Sequence, residues 1–434
     1  MKLTLFQGIL LGVFGIGALV GLFVFSTYTS KSGGAGAVGA VVIWGTLPQS
    51  AMNATLTAAA QADTSLRSVS YVQKDPATLP SDLAAAIATG NAPDLVLASQ
   101  EELQSLAKFI APIAPSTLSA SAFQSTFVEE GGLFASPGGG YYGVPFLVDP
   151  LVLFSNRSIL SSDGIAQPPA TWEALVGLVP SVAVTTPARQ ITRGLIALGT
   201  YGNVHDARGI LSALFLQTGV PISAYSAGGV LSGDLGVSTT GGVPPGQAVV
   251  TFYTQFADPS KVSYTWNASL PDSEQAFLSG DLALYLGYAS EARFLRAANP
   301  NLDFAVTPLP QPATASAKSA YGLVYAFMIP RGAKNASGAY QAAALFTNSA
   351  EQAAGASATG LAPAVLSQLA TAPADPVAEV AYAEALYSEG WLSPAPADTD
   401  SVFSDMIGNV ISGRSTTLTA LAVAERSLSS LLEQ

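Results

Sequence analysis

The residues best placed to do chemistry sit just beyond apolar runs. Trp44-Gly45-Thr46 follows Val41-Val42-Ile43, Ser99-Gln100-Glu101 follows Leu95-Val96-Leu97-Ala98, and Gly287-Tyr288 closes the run 282–286. In open α/β sheets, ligands bind beyond the carboxyl ends of the strands, so these polar and aromatic groups mark the mouth of a cleft. Their chemistry is recognition. An aromatic face packs on the C–H surface of a pyranose while amides and carboxylates take its hydroxyls, whereas a highly charged ligand needs several convergent Arg or Lys. Basic residues are scarce in these loops. One further pair stands out: Asp149-Pro150 interrupts the extended runs 143–148 and 151–154, and proline does not fit inside a regular ladder.

Most catalytic chemistries lack their residues. Cysteine is absent and His205 is the single histidine, so disulfides, thiolate nucleophiles, iron–sulfur clusters and multi-histidine zinc sites are excluded. His205 itself reads as a neighbour of a helix N-terminus. The segment 138–143, GGGYYG, satisfies G-x-G-x-x-G, but no strand leads into it and Pro145 with a strand follows, so it is a loop. Neither G-x-x-x-x-G-K-[ST] nor G-x-S-x-G occurs, which excludes a transport ATPase and a typical α/β hydrolase. Glu129-Glu130 and Asp272/Glu274 lack the opposed geometry of glycosidase carboxylates. No enzyme activity, cofactor or metal is expected.

Around these residues stands a chain of 434 residues, long enough for at least two lobes, with 49% hydrophobic and 11% charged residues. Lys+Arg 17 against Asp+Glu 29 leaves a net charge of −12, which repels phosphate backbones and argues against nucleic acid. The uncharged apolar stretch 5–25 would rise about 32 Å as a helix, enough to cross a bilayer core. Residues 1–29 are therefore expected to be a transmembrane anchor or a signal, and the Gly/Ser/Ala segment 30–38 a flexible leash. Beyond it, apolar runs at 41–44, 68–73 and 94–98 alternate with helical stretches at 49–62, 80–88 and 101–109. This alternation predicts a parallel sheet covered by helices. A second such run follows: a helix at 172–178, a strand at 182–184, a helix at 206–218, a Gly/Ser/Pro-rich loop at 226–245, helices at 247–256 and 273–278, and a strand at 282–286.

In this order the segments VVIWG (41–45), AIATGNAPDLVLAS (86–99), YGVPFLVDPLVLFSNRSIL (142–160), AFLSGDLALYLG (276–287), YGLVYAFMIP (321–330) and ISGRSTTLTAL (411–421) resemble the extracellular solute-binding proteins of ABC importers, in the group that includes maltose-binding protein. The resemblance covers about residues 40–430. It implies a two-lobed periplasmic-binding-protein fold with hinge crossover strands. One lobe would hold 39–147 and 305–362, the other 148–304 and 363–434. It also implies an extracytoplasmic, monomeric receptor that closes on a sugar or oligosaccharide and delivers it to a permease, anchored to the membrane by the N-terminal stretch described above. The alternatives are a non-transport envelope protein on the same scaffold, or a binder of another small solute or of ferric ion, which relatives hold through adjacent tyrosines, here matched by Tyr141-Tyr142.

Carried over residue by residue, the resemblance makes Asp149 a ligand contact on a hinge strand; its own sequence context also fits a turn before proline. Gln100 and Glu101 become polar contacts after the third strand, with helix capping the other role for Glu101. Trp44 lines either the cleft or the core. Tyr201 and Asn203 present contacts from the second lobe, Tyr288 is an aromatic platform, and Tyr321 is a further cleft residue. Ser290 occupies the place of an aligned tryptophan, a departure that counts against a maltodextrin ligand.

Overall fold

Three short apolar runs form parallel strands in the order β2-β1-β3: β1 (Val41–Gly45), β2 (Val69–Gln73) and β3 (Leu95–Ser99). Parallel neighbours need a crossover, and the helices Gln49–Ala62 and Leu79–Ala88 supply it. Every residue of β3 is buried, as befits a strand covered on both faces. The carboxylate of Asp94, just before β3, accepts from the Val42 N–H at 3.0 Å and the Asn335 N–H at 2.9 Å, pinning β1 to a distant loop. The computed structural model describes residues 38–238, 241–371 and 373–433. The expected anchor at 1–29 and leash residues 30–37 lie outside them. Val38, assigned to the leash, is instead buried, and its carbonyl accepts from Asn335 Nδ2 at 3.0 Å. Among the described residues no helix is long and apolar enough to cross a membrane.

β4 (Gly143–Asn156) runs through the middle of the molecule with all fourteen residues buried, a reach of about 45 Å at roughly 3.3 Å per residue. The remaining strands are β5 (Val184–Thr185), β6 (Ile191–Ile196), β7 (Ile222–Tyr225), β8 (Leu231–Asp234), β9 (Leu282–Tyr288), β10 (Phe304–Thr307), β11 (Ala320–Met328), β12 (Ala362–Pro363) and β13 (Ser388–Glu389). The main sheet has the order β2-β1-β3-β11-β4-β9-β6-β5, with β10 and β12 also on β4 and β13 on β11; β7 and β8 form a separate hairpin. At Leu147 and Val148 the neighbours of β4 are β11 and β12; from Leu153 to Ser155 they are β10 and β9. Both edges thus change partner around Asp149-Pro150. Proline, which has no N–H to give a ladder, falls at the handover, so extended chain continues where a regular ladder could not.

The result is a mixed α/β, two-lobed fold with one core around Val41, Ile43, Met52, Phe146 and Phe346 and another around Phe154, Leu195, Phe215, Phe277 and Leu284. The sheet is not wholly parallel as expected: β11 and β4 run antiparallel to their neighbours at its centre. The expected 101–109 helix is broken into short turns, Gln100–Glu102, Leu103–Leu106 and Ala107–Phe109. Val182 ends the helix Trp172–Val182 instead of opening a strand, and β6 is the buried strand beside β9. The Gly/Ser-rich loop contains β8, one arm of the hairpin.

Asp94→Ala leaves two backbone donors without their acceptor, and we expect a loss of about 1–3 kcal/mol in unfolding free energy with ligand affinity unchanged. Chemical denaturation of the variant checks this.

Candidate functional site

The helix Ala207–Gln217 starts where the carboxyl ends of β3 and β9 converge on β11. Gly209, in its first turn, makes the approach possible: a Cβ there would stand 2.6 Å from the Tyr288 hydroxyl and 3.4 Å from Cδ1 of Tyr321. Arg208 beside it is the hub. Its Nε and one terminal nitrogen donate to the two oxygens of Glu101 at 3.0 and 2.8 Å, a bidentate pair, and the other terminal nitrogen donates to Asp400 at 2.6 Å. The Tyr321 hydroxyl also donates to Glu101, at 2.5 Å, and the Tyr201 hydroxyl to Asp400, at 2.5 Å. Burial opposes the charge of Arg208, but Glu101 and then Asp400 outweigh it and raise its pKa.

A second group of acids lies alongside. Asp149 is buried on β4, opposite Leu323 of β11, and accepts from the Ser290 N–H at 3.1 Å and the Ser290 hydroxyl at 2.6 Å. Burial pushes its pKa up to about 7 despite those two donors. Asp206 stands at the N-cap position of the helix but caps nothing, and its buried Oδ2 has no donor facing it. It meets Glu291, and two carboxyls bond only when one carries a proton. Burial lifts Asp206 to about 7 and Glu291 well above the usual carboxylate range. Glu291 is itself held by the Tyr288 N–H at 2.7 Å and by the Tyr285 hydroxyl. His205, Asp206 and Glu291 each bring one ligand atom to within 4.8 Å of the others, the sole such set of His and carboxylate ligands among the described residues.

Between these groups opens a cavity of about 290 Å³, lined by Tyr201, Val204, His205, Asp206, Arg208, Asp272, Tyr288, Leu323 and Asp400, among others. Tyr201 and Tyr288, both named from sequence, border it. Glu101 and Tyr321 lie directly behind Arg208, and Ser290 and Asp149 brace the turn after β9. Gln100 is spent on the backbone of β11, donating to the Gly322 carbonyl at 2.9 Å and accepting from the Val324 N–H at 2.8 Å. Asn203 ties its loop to the carbonyls of Asn267 and Leu270, both at 3.0 Å. Of the two places expected for Trp44 it takes the core: it is half-buried, packed against the core and under the Lys74 ammonium at 3.9 Å, away from the cavity wall. Glu101 is not the helix cap either; Ser99 and Glu102 form that capping box. Tyr141 is buried, stacked on Phe123 with ring centroids 3.7 Å apart, where it cannot pair with Tyr142 on an ion. The sequence reading missed Arg208, Asp206, Glu291 and Asp400. The signal for two of them was the charged HDAR run at the start of an apolar helix.

A family model described as bacterial extracellular solute-binding protein matches residues 55–382. No curated protein matches the sequence. Among solved structures, the chain is similar to a cyclic alpha-maltosyl-1,6-maltose binding protein from Arthrobacter globiformis, with TM-score 0.73, 14% identity, and coverage of 91% of this chain and 98% of that one. It is also similar to an ABC transporter solute-binding protein from Thermotoga lettingae bound with alpha-D-tagatose, with TM-score 0.68, 16% identity, and coverage of 91% and 100%. A third is the maltose/maltodextrin-binding domain of Bdellovibrio bacteriovorus bound to maltotriose, with TM-score 0.65, 16% identity, and coverage of 91% and 100%.

The raised carboxyls give a pH signature. Asp149 and Asp206 hold protons up to about pH 7 when folded, but release them near pH 4 when unfolded. The folded state binds more protons across that window, so their contribution to stability is full below pH 4 and is lost as pH rises through 7. Calorimetry should show the melting temperature falling between pH 5 and pH 8, with a shallower fall in Asp206→Asn.

Proposed function

The chain belongs to the bacterial extracellular solute-binding proteins, and from that premise we propose that it is an extracytoplasmic receptor for a sugar or short oligosaccharide. The observation that carries the ligand class is the lining of the 290 Å³ cavity. Two phenols supply ring faces and hydroxyls, while Asp206, Asp272, Asp400 and Arg208 supply acceptors and donors in the mixture a polyhydroxylated solute needs. The volume lies near the low end of the roughly 300–1,000 Å³ common for ligand sites, which favours one or two sugar units over a long chain. The carbohydrate ligands of the similar solved structures point the same way.

Binding, without chemistry, is the mechanism. We assign residues 39–147 and 305–362 to one lobe and 148–304 and 363–434 to the other, so that Glu101 and Arg208 belong to opposite lobes. Their ion pair then joins the lobes across the cleft. A solute that hydrogen-bonds Arg208, Asp400 and Tyr201 on one side and reaches the β3 and β11 ends on the other would bias a hinge equilibrium toward closure, the form a permease reads. Asp149 acts in this scheme by holding Ser290, and with it Tyr288, in place. An N-terminal anchor over 1–29 would keep the receptor at the membrane beside its permease.

Isothermal titration against a panel of mono- and oligosaccharides tests this reading. We expect saturable binding of one sugar class without product formation, weakened at least tenfold in Tyr288→Ala and Arg208→Ala. Absence of binding by every sugar, or full affinity in both variants, contradicts it.

A further inference from the structure

A second, larger cavity of about 530 Å³ shares no residue with the first. Leu133, Leu216, Val220, Pro221, Trp391 and Leu392 give it an apolar wall, and Glu389 with Gly390 forms one end. Behind that end lies Glu130, in the turn Glu129–Phe134. It is 4% exposed, and neither carboxyl oxygen has a hydrogen-bond partner. Two glycines pack closely on it. A Cβ on Gly390 would lie 2.7 Å from Glu130 Oε1 and 2.9 Å from Cδ1 of Leu133, while a Cβ on Gly322 would lie 3.1 Å from Oε2. Gly390 and Leu133 both border the cavity, so the carboxyl lies directly behind that part of its wall.

A buried carboxyl with two unmet oxygens is rare, because each polar group taken from water without a partner costs stability. Protonation removes the charge but leaves the oxygens unmet. We infer that this cavity is a binding site for an amphiphilic organic cation, an ammonium or guanidinium group on an apolar body. The cationic head meets Glu389 at the wall and the charge of Glu130 just behind Gly390, and the body packs on Leu133, Leu216 and Trp391. Burial, and then the charge of Glu389, push Glu130 up to about 8, and a cation reverses that shift. The other titratable groups around it are the Tyr321 phenol and, beyond Glu389, Glu129.

The test is isothermal titration of the full chain with 4-phenylbutylamine and with its neutral counterpart, 4-phenylbutan-1-ol. The amine should bind at least tenfold more tightly at pH 8, and Glu130→Gln, which keeps the shape of the side chain, should bring the two to parity. On the unmodified protein at pH 7, amine binding should release protons as Glu130 ionises, read as a heat that changes with the ionisation enthalpy of the buffer; the alcohol should release none. Equal affinity for amine and alcohol, no amine binding, no proton release, or an amine preference retained in Glu130→Gln overturns the inference. Sugar titrations of Glu130→Gln keep the two sites apart: unchanged sugar affinity there is expected, whatever the amine result.

Discussion

The structure depends on one strand serving two halves of a sheet. β4 is antiparallel to β11 through Pro150 and to β9 from Leu151, and its other edge passes from β12 at Leu147–Val148 to β10 at Leu153–Asn156. A fully buried strand of this length must satisfy its backbone groups throughout, and it does so only by changing partners midway. The change fixes where the other strands can end. It brings the carboxyl ends of β3 and β9, the first turn of the helix Ala207–Gln217 and the middle of β11 to a common point, and the polar residues of the chain collect there.

Charge at that point is organised by Arg208. Its planar fork suits the two-point contact with Glu101 and leaves a further nitrogen for Asp400, an arrangement an ammonium could not reproduce. A buried ion pair pays a desolvation cost that its attraction often only balances, so the pair is better understood as a device that fixes one relative placement of the ends of β3 and of the helix. Asp149, Asp206 and Glu291 have no such cation bonded to them. They rely on Ser290, Tyr285 and a shared proton, and burial raises their pKa values despite those donors.

Much of the frame was legible in the sequence. The runs at 41–44, 68–73 and 94–98 are continuous or alternating apolar segments punctuated by glycine and proline, and they became β1 to β3 to within a residue or so, while the Asp-Pro step marked the place where β4 changes partners. β6 was missed because Arg193 and Gly194 break its apolar pattern, and β8 because its strand is made of residues typical of loops. The site was harder. Tyr201 and Tyr288 follow apolar elements and do line the cavity, but the roles of Gln100 and Glu101 diverge although the residues are adjacent. One side chain points to the backbone of β11, the other to Arg208, more than a hundred residues later in the chain. Local pattern carries no information about such a distant partner. Asp400 became a site residue for the same reason.

Hydrogen–deuterium exchange of the full chain, with and without a saturating sugar chosen by titration, tests the central claim most directly. If the solute sits where β3, β9 and β11 meet the helix Ala207–Gln217, protection should rise at 201–209, 287–291, 321–324 and 396–400 and stay unchanged around Trp391 and Leu392. Protection confined to other segments, or none at saturation, would contradict the placement of the site.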